Sequence, residues 1–453
     1  MQATTGMPLS LMTPIGYQSG DCGYCKGEES GRRTPDSRAS YYALSKSLDP
    51  EHYQMLMDRG WRRSGTLLYL PDASRSCCPH YTIRLPAAEF QASRDQRQTI
   101  YRWNRFVLGE EYMKQASQKT PKTKSDKKSN ATFDLKTSIH ASETPPNPSP
   151  TLPQPAHTFT APLEPATFTE EKYALFASYQ QHVHHESPAE ISRAGFKRFL
   201  CSSPLTARTT PSGQALGSYH QPYRLDGALI ALAVLDLLPH AVSGVYFIYA
   251  PEYEKWSLGK LSALREIALA AEAGYAYYYM GYYIHGCEKM RYKAAYRPQE
   301  VLDFEGGGWG RLEGALEGAM GRRGGRWVSA SREREGRAKG ILADGGEDDK
   351  VPDEEALYPT PLHPTPTAAT ASGLSLLELG MPGVLSLAEL REQVDLDDMK
   401  IYLGRGGVHR TRDIVSWQEG SETDAGSIKG VMAEFAACLG GRLAREVVVD
   451  FGR

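Results

Sequence analysis

Apolar residues are most concentrated between residues 217 and 297, where their order predicts strand, strand, helix and strand. Two short apolar runs, Ala228–Leu238 and Val242–Ala250, come first. β-Branched and aromatic residues fill the second run and the later run Tyr275–Ile284, and such residues suit a pleated surface. Ala228–Leu238 would also tolerate a helix, because periodicity alone does not separate short buried strands from helices. The order predicts a mixed α/β fold.

Leucine and alanine recur at helical spacing over Ser257–Ala273, between the last two of these runs. Ser257 is a favourable N-cap residue. A helix that begins at the carboxyl end of a strand presents backbone amides to an anion, here those of Leu258, Gly259 and Lys260. The pattern therefore predicts a phosphate site at this helix start. The alternative is that Gly259 only allows close packing against the sheet.

Capping signals predict further helices. Asp49 followed by Pro50 is typical of a helix N-terminus, and Ser93 with Gln96 forms a capping box. Aromatic residues at helical spacing follow Thr169. Helices should therefore begin next to Asp49, Ser93 and Thr169.

Four cysteines near the N-terminus form two pairs, and their arrangement predicts a metal site. Cys22 and Cys25 make a C-x-x-C turn, and the adjacent Cys77 and Cys78 follow later in the chain. Four thiolates suit either zinc or an iron–sulfur cluster. Adjacent thiolates meet one tetrahedral ion with strain, which modestly favours a cluster. The alternative is a redox-active C-x-x-C with two unrelated buried thiols.

Arginines and aromatic residues lie together around the second cysteine pair. Arg62, Arg63 and Arg84 are close in sequence to Trp61 and Tyr81. Guanidinium groups bind phosphates and aromatic rings stack on unpaired bases, so this mixture predicts contact with an RNA end. The alternative is a solvated arginine face, with Trp61 in a small core.

Composition divides the chain into two folded parts and two linkers. Lysine and then Pro, Ser and Thr dominate residues 111–167, which bury too little apolar surface to fold and are predicted to be a disordered linker. Residues 331–385 are predicted to be a second, low-complexity linker. Residues 386–453 should pack on the core or be partly disordered. The predicted domains are a four-cysteine domain, 1–110, and an α/β domain, 168–330.

Overall composition excludes several classes of protein. The 453 residues carry a formal net charge of −2, which argues against a uniformly basic nucleic-acid-coating protein but not against a local RNA groove. The sequence has neither an apolar run long enough to cross a membrane nor a signal peptide. Seven cysteines, unevenly spread, fit reduced thiols or a metal better than a disulfide scaffold. We expect a cytoplasmic protein, with nuclear import through its lysine cluster as an alternative.

The sequence resembles the eukaryotic, fungal-like arginyl-tRNA protein transferases over roughly residues 16–109 and 168–300. The stretches that carry the resemblance are Cys22–Cys25, Asp58–Gly65, Tyr81–Arg84, Gly217–Gln221, Tyr223–Gly227, Val245–Tyr249, Ser257–Lys260, Leu264–Ile267, Tyr277–Ile284 and Lys289–Lys293. The resemblance implies a four-cysteine domain joined to an acyltransferase-like (GNAT-like) α/β domain. It also implies transfer of arginine from arginyl-tRNA to the α-amine of proteins that begin with Asp or Glu. In the N-degron pathway such products enter ubiquitin-dependent degradation.

The reaction that this resemblance implies is aminolysis of an aminoacyl ester. An α-amine has an ordinary pKa of about 7.7–8.0 and is partly neutral at physiological pH, so positioning matters more than a strong base. The predicted catalytic residues are His220, Asp226 and Glu266. The predicted substrate-binding residues are Tyr219, Gln221, Arg265, Lys289, Arg291 and Lys293. The predicted tRNA-binding residues are Arg62, Arg63, Arg84, Ser257 and Lys260, and the predicted metal ligands are Cys22, Cys25, Cys77 and Cys78.

Two other functions fit part of the pattern. A coenzyme A-dependent N-acetyltransferase would share the order of elements, but the glycine-rich loop of such enzymes is missing, so no coenzyme A is expected. A non-catalytic, metal-dependent RNA-binding protein would explain the arginines but not the matched α/β segment. The expected protein is a monomer with no membrane partner.

Overall fold

The computed structural model describes residues 10–25, 33–119, 133–143, 153–342, 354–404 and 407–452. Two sheets organise these residues. Their strands are β1 Leu11–Gly20, β2 Arg38–Ser47, β3 Arg62–Ser64, β4 Leu67–Pro71, β5 Tyr81–Pro86, β6 Phe159–Thr160, β7 Glu164–Pro165, β8 Arg208–Thr209, β9 Ala215–Leu225, β10 Ala228–Leu238, β11 Ala241–Tyr249, β12 Tyr277–Tyr279, β13 Tyr282–Tyr283, β14 Glu300–Asp303, β15 Gly308–Arg311, β16 Lys400–Tyr402, β17 Val408–Arg410 and β18 Val448–Asp450.

The α-helices lie on the faces and ends of these sheets. They are α1 Pro50–Met57, α2 Arg94–Leu108, α3 Glu110–Lys119, α4 Leu135–His140, α5 Glu170–Val183, α6 Arg193–Phe196, α7 Leu258–Glu272, α8 Glu288–Arg291, α9 Ala315–Arg322, α10 Ala330–Ala338, α11 Glu354–Leu357, α12 Pro366–Ala371, α13 Leu376–Leu379, α14 Leu387–Gln393, α15 Ile428–Leu439 and α16 Gly441–Glu446. Among the described helices, each is too short or too polar to cross a membrane.

The first sheet has the strand order β17-β16-β18-β1-β2-β4-β3, so both ends of the chain build it. β18 lies between β1 and β16 and runs parallel to both. Trp61, Trp417 and Phe435 are completely buried in the core beneath it. Residues 386–453 were expected to pack on the α/β core or to be partly disordered. Their described part instead completes the N-terminal four-cysteine domain.

The second sheet has the order β15-β14-β5-β12-β11-β10-β9-β6, and it takes β5 from the N-terminal segment. β11 and β12 are parallel and α7 connects them, which confirms the predicted strand, helix and strand. The ambiguous run Ala228–Leu238 is a strand, β10. The run Tyr275–Ile284 is not one strand, because Gly281 has a positive φ of 75° and separates β12 from β13.

The predicted linker 111–167 is wrong over much of its described length. α4 packs against α7 and buries Ile139, while β6 and β7 pair with β9 and bury Phe159. A few apolar side chains within a polar stretch suffice here because the α/β domain supplies the rest of their core. The Pro-rich stretch after Glu143 and the lysines after Lys119 lie outside the described residues.

The predicted linker 331–385 is also wrong where it is described. Leu376, Leu379 and Met381 are buried in the core of the first sheet, and Ala369 joins them. The acidic stretch within 343–353 lies outside the described residues. Composition averages over the whole stretch and therefore misses a short apolar cluster that packs on a distant part of the chain.

The predicted helix starts are confirmed at Asp49, Ser93 and Thr169, whose side chains accept backbone N–H groups. Ser257 differs. It has a left-handed backbone, φ 56° and ψ 47°, and its side chain makes no capping hydrogen bond. Its carbonyl oxygen accepts the amides of Lys260 and Leu261, so part of the predicted anion site is used within the helix itself.

Candidate functional site

The fold brings the two cysteine pairs together. Cys22 and Cys25 follow β1, whereas Cys77 and Cys78 precede β5, and neighbouring backbone hydrogen bonds hold the two loops in place. All four Sγ atoms lie within 4.8 Å of one another. Four convergent thiols on two crossing loops can hold a metal ion or cluster, as the spacing predicted.

The electrostatics of the four thiols fit such a group. Hydrogen bonds from the thiols of Cys77 and Cys78 lower the pKa of Cys22. Its thiolate in turn raises the pKa of Cys77 to about 11 and raises that of Cys78 as well. Four thiolates this close repel each other unless a cation neutralises them, so the donor set suits a bound metal better than four independent thiols.

The second sheet splits between β11 and β12. Their ladder joins only Ala241–Ser243 to Tyr277–Tyr279, although β11 continues to Tyr249. β13 pairs with β5 instead, and a register irregularity in the β10–β11 pairing lies at the same level. The second half of β11 is therefore separated from β13, and the two enclose what we call the split cleft, bounded by Gly244–Tyr249 and Tyr282–Lys293.

A buried carboxyl group lies beside this split. Glu266 of α7 accepts hydrogen bonds of 2.5 Å from Ser262 Oγ and Tyr278 Oη. Burial raises its pKa to about 7, although both hydrogen bonds oppose the shift. A Cβ at Gly244 would lie 2.9 Å from Glu266 Oε2. Only glycine at this point of β11 leaves room for the carboxylate, which can gain and lose a proton near neutral pH.

A buried amine lies on the other side of the split cleft. Lys293 Nζ donates to the Tyr282 carbonyl oxygen at 2.7 Å. Burial, together with the charge of Arg62, lowers its pKa to about 7. Two groups of opposite type that titrate near neutrality, Glu266 and Lys293, therefore border the split cleft, and such shifts are frequent in active sites.

Aromatic rings connect the cysteine site to the split cleft. Tyr24 lies within the C-x-x-C turn and contacts His80 edge-on, with ring centroids 5.2 Å apart. His80 contacts Tyr282 in the same way at 5.0 Å. Burial raises the pKa of Tyr24 to about 12, and the neighbouring Cys287 thiol contributes to this shift. The cysteine loop thus forms part of the wall of the cleft.

Lys289 and Arg291 are exposed on α8, at the rim of the split cleft. The charge of Lys289 helps to lower the pKa of His184, although burial is the larger cause, so Lys289 faces the end of α5 across the cleft. Of the six predicted substrate-binding residues, these two and Lys293 lie at the cleft. The first two are placed where a cation could meet an acidic side chain.

The other predicted substrate-binding and catalytic residues of β9 lie elsewhere. β10 lies between β9 and β11, so β9 is two strands, or about 9–10 Å, away from β11. His220 is fully buried, donates from Nε2 to Leu200 O at 2.9 Å and accepts at Nδ1 from Lys172 Nζ at 3.0 Å. Burial lowers its pKa to about 4. With both ring nitrogens occupied, this histidine has a structural role. Tyr219 and Gln221 flank it on β9.

Asp226 and Arg265 also serve the fold. Asp226 lies at the β9–β10 turn with φ 49°, and its carboxylate accepts from Thr158 N at 2.8 Å. Arg265 is buried on α7 and forms an ion pair with Glu143. Neither residue lies at the split cleft, and the catalytic role of Asp226 and acceptor binding by Arg265 stay predictions.

The arginines predicted to bind tRNA are largely internal. Arg63 makes a buried, two-pronged ion pair with Asp236 of β10, at 2.6 and 2.8 Å. Arg62 is buried and stands over the rings of Tyr279 and Tyr282. The solvated arginine face is therefore wrong for these two residues. Their contact with tRNA stays a prediction.

Arg84 is enclosed in a different way. It is sandwiched between Tyr277 and Trp309, with its guanidinium carbon 3.8 and 3.9 Å from the ring centroids, and it pairs with Glu300. Stacking on protein rings leaves Arg84 no open face for a base.

Trp61 was expected to lie in a small core. It lies instead in the large core of the first sheet, where its indole N–H donates a hydrogen bond to Cys438 O.

Ser257 and Lys260 remain at the surface end of α7. Lys260 forms an ion pair with Asp95 at 2.7 Å.

The sequence did not predict three residues of the site, Gly244, Tyr278 and Tyr24. Gly244 carries no side-chain signal, and Tyr278 is one of several tyrosines in its run. Tyr24, between two predicted metal ligands, was the one with a detectable signal.

A domain with four convergent thiols, joined to an acyltransferase-like α/β domain with a split sheet, defines the class as acyl-transferring enzymes of the aminoacyltransferase type. Family models agree with this. One described as "Arginine-tRNA-protein transferase, C terminus" matches residues 171–303, and one for its N terminus matches residues 20–98.

Individual relatives give the same result. The chain is 34% identical to arginyl-tRNA–protein transferase 1 of Saccharomyces cerevisiae, over 62% of this chain and 58% of the relative. It is 31% identical to an aspartate/glutamate leucyltransferase of Stutzerimonas stutzeri, over 59% of this chain and 88% of the relative. The chain belongs to the arginine-tRNA-protein transferase family. It spans less than two thirds of the yeast relative.

Among solved structures, the C-terminal domain of a putative lysylphosphatidylglycerol synthetase from Agrobacterium fabrum overlaps 45% of this chain and 46% of its own, with 12% identity and a TM-score of 0.24. That score is too low to say anything about the fold.

Proposed function

We propose that this protein transfers arginine from arginyl-tRNA to the N-terminal α-amine of proteins that begin with Asp or Glu. The observation that carries the proposal is the split cleft. It has a carboxyl group and an amine that titrate near pH 7, and it lies in the segment matched by the family model. The products would be substrates of ubiquitin-dependent degradation. The proposed location is the cytoplasm, with nuclear import as an alternative.

In the proposed reaction, the neutral α-amine attacks the carbonyl carbon of the aminoacyl ester. A C–N bond forms, and the C–O bond to the terminal ribose breaks. The amine nitrogen loses one proton and the ribose oxygen gains one. Glu266, with a pKa of about 7, is suited to take up the proton through its partner Tyr278. Lys293, also near 7, is suited to supply a proton to the departing oxygen.

Two cations at the rim of the split cleft support the proposed acceptor preference. Lys289 and Arg291 are exposed cations next to the cleft, and they would attract the side-chain carboxylate of a first residue Asp or Glu. The cost of burying that carboxylate is small at an exposed rim. Such an arrangement selects acidic residues by charge.

The four cysteines would hold zinc or an iron–sulfur cluster, which orders the loop that carries Tyr24. The bound group would supply positive charge to the thiolates. Cys22, Cys25, Cys77 and Cys78 would be its ligands, and Tyr24 would be the residue through which their loop borders the cleft.

The test uses purified protein with radiolabelled arginyl-tRNA or leucyl-tRNA, because one relative is named as a leucyltransferase. Peptides that differ only in an N-terminal Asp, Glu or Ala serve as acceptors. Label from arginyl-tRNA on the acidic peptides alone supports the proposal. Label from leucyl-tRNA alone reassigns the donor, and transfer to the Ala peptide at the same rate overturns the acceptor rule.

A further inference from the structure

The glycine-rich stretch after Asp303 forms a cavity that the proposed reaction does not use. It lies between β15, at the edge of the second sheet, and α10, and its volume is about 360 Å³. Its lining contains Trp309, small residues, and equal numbers of acids and bases: Asp303, Glu313 and Glu333 with Arg311, Arg334 and Arg337.

Two carboxylate oxygens on this lining lack hydrogen-bond donors among the described residues. Asp303 is only 4% exposed, and its Oδ1 accepts from Ser329 Oγ and Glu305 N. Its Oδ2 is buried without a hydrogen bond, and the nearest cation, Arg334, stands 3.7 Å away. A buried carboxylate oxygen without a donor is costly, so its persistence needs a reason.

Glu313 repeats the pattern on the same cavity. Its Oε1 is buried without a hydrogen-bond donor among the described residues, and Arg297 Nε is 3.9 Å away, beyond hydrogen-bonding distance. Two carboxylate oxygens in one cavity therefore lack a hydrogen-bond donor. A ligand group with several N–H donors could bind to both.

Glycines keep the cavity open at this point. A Cβ on Gly306 would lie 2.8 Å from Asp303 Oδ2 and 3.3 Å from Ser331 Cβ. Gly306 does not have a positive φ, so backbone conformation does not require glycine there. The missing side chain keeps a methyl group from pressing against Asp303 Oδ2.

The rim of the cavity carries positive charge. Arg334 is 77% exposed, and Arg337 is only loosely paired with Glu333, at 4.0 Å. Acceptors inside and guanidinium groups at the mouth are complementary to a ligand with a protonated amine and a neighbouring carboxylate. Trp309 has one ring face covered by Arg84 and adds apolar surface beside the acids.

We propose that this cavity binds a small zwitterion through Asp303 and Glu313, with its carboxylate toward Arg334. Two sources have this chemistry: a free amino acid, and the N-terminus of a peptide whose first residue is acidic. The proposal does not depend on the proposed transfer reaction, since the cavity residues lie outside the split cleft.

The test measures binding by calorimetry to the full chain, without tRNA. The probes are free L-arginine, a peptide beginning with Asp and amidated at its C-terminus, and the same peptide with an acetylated N-terminus. Binding of L-arginine alone identifies a free amino acid. Binding of the unacetylated peptide identifies a chain end, and either result supports the site. Absence of binding by every probe overturns it.

Variants locate the binding. Asp303→Asn and Glu313→Gln should each weaken it about tenfold or more, because each loses a charged acceptor. Gly306→Ala should weaken it similarly while both carboxylates are kept, so it provides a second route if an acid variant folds poorly. Glu305→Gln is the matched control, since Glu305 pairs with Arg332 instead. Binding that is unchanged in Asp303→Asn, Glu313→Gln and Gly306→Ala contradicts the proposal.

Discussion

Glu266 shows how one residue can have both a structural and a chemical role. Its two hydrogen-bond donors and its burial make it part of the core, but its pKa of about 7 makes it titratable at working pH. In the folded protein the carboxyl group of Glu266 keeps its proton up to about pH 7, whereas the ordinary pKa of a glutamate is 4.5. The folded state therefore binds more protons between these values, and it loses stability as the pH rises through them.

Replacing Glu266 by Gln should slow arginine transfer by about 10²–10⁴-fold, which is typical of a lost acid–base group. In the native protein, the rate should rise with pH as Glu266 and the acceptor amine lose their protons, and it should fall as Lys293 loses its own. In the variant, the ionisation of Glu266 should be missing, while those of the amine and of Lys293 remain. The pH dependence of unfolding between 4.5 and about 7 should also weaken.

The matched control is Glu272→Gln, at the far end of the same helix, where Glu272 contacts His140. It should keep the ionisation of Glu266 in its pH–rate profile. A Glu266→Gln variant with an unaltered pH–rate profile would remove Glu266 from the proposed mechanism.

Gly244 should be needed for its lack of a side chain. Gly244→Ala puts a methyl group 2.9 Å from Glu266 Oε2, so the carboxylate must move. A displacement of this kind can slow a reaction by about a hundredfold. Gly259→Ala is the control, because its Cβ would have its nearest neighbour, Phe247, at 4.0 Å. Transfer rates of the two variants, at equal helix content, make the comparison, and equal rates would be against the assignment.

At the scale of elements, β3 is attached to β10 by the buried Arg63–Asp236 pair. Ser218 also donates to Asp236, so the carboxylate is well satisfied. Removing one partner leaves the other charge buried without compensation. Arg63 therefore links the four-cysteine domain to the α/β domain.

Arg63→Met should lower the free energy of unfolding by about 3–5 kcal/mol, as measured by urea denaturation. Arg193→Met, which breaks an exposed pair with Glu170, should change it by about 0–1 kcal/mol. Weaker tRNA binding by Arg63→Met without loss of stability would instead support the predicted RNA contact.

At the scale of the whole molecule, the last strand closes the first sheet. β18 lies between β1 and β16, and α15 buries Phe435 and Cys438 beneath the sheet. Removing β18 and α15 exposes the edges of β1 and β16 and the apolar core beneath the sheet. Residues 386–453 are therefore predicted to be required for the N-terminal four-cysteine domain to fold.

A chain truncated after residue 427 should aggregate or lose its cooperative unfolding transition, as followed by circular dichroism and size-exclusion chromatography. Adding the missing segment as a separate peptide is the control, and it should partly restore the soluble form. A truncated chain that folds with its native transition would show that the contacts of β18 contribute little.

The cysteine site couples the same domain to the cleft. Cys25→Ser should lower metal content and the thermal midpoint together, because a ligand group that closes two loops is lost. Metal analysis with visible absorption would distinguish zinc from an iron–sulfur cluster. Cys201→Ser, a cysteine outside the site, is the control and should keep both the metal and the midpoint.

Local signals in the sequence determined much of this protein. The caps at Asp49, Ser93 and Thr169, the strands of the α/β segment and the two cysteine pairs depend on residue types at short spacing. Hydrogen bonds and periodicity act over a few residues, so the sequence alone contains that information.

Tertiary structure decided the rest. It placed β18 beside β1, buried the arginines predicted to bind RNA, and occupied both nitrogens of His220. It also put Gly244, Tyr278 and Glu266 together at the split. These outcomes depend on contacts between residues far apart in the chain. The sequence around a charged residue is the same whether its side chain lies in solvent or in a buried ion pair. Burial shifts the pKa values of Glu266 and Lys293 to about 7, and these side chains become buried only when the chain folds.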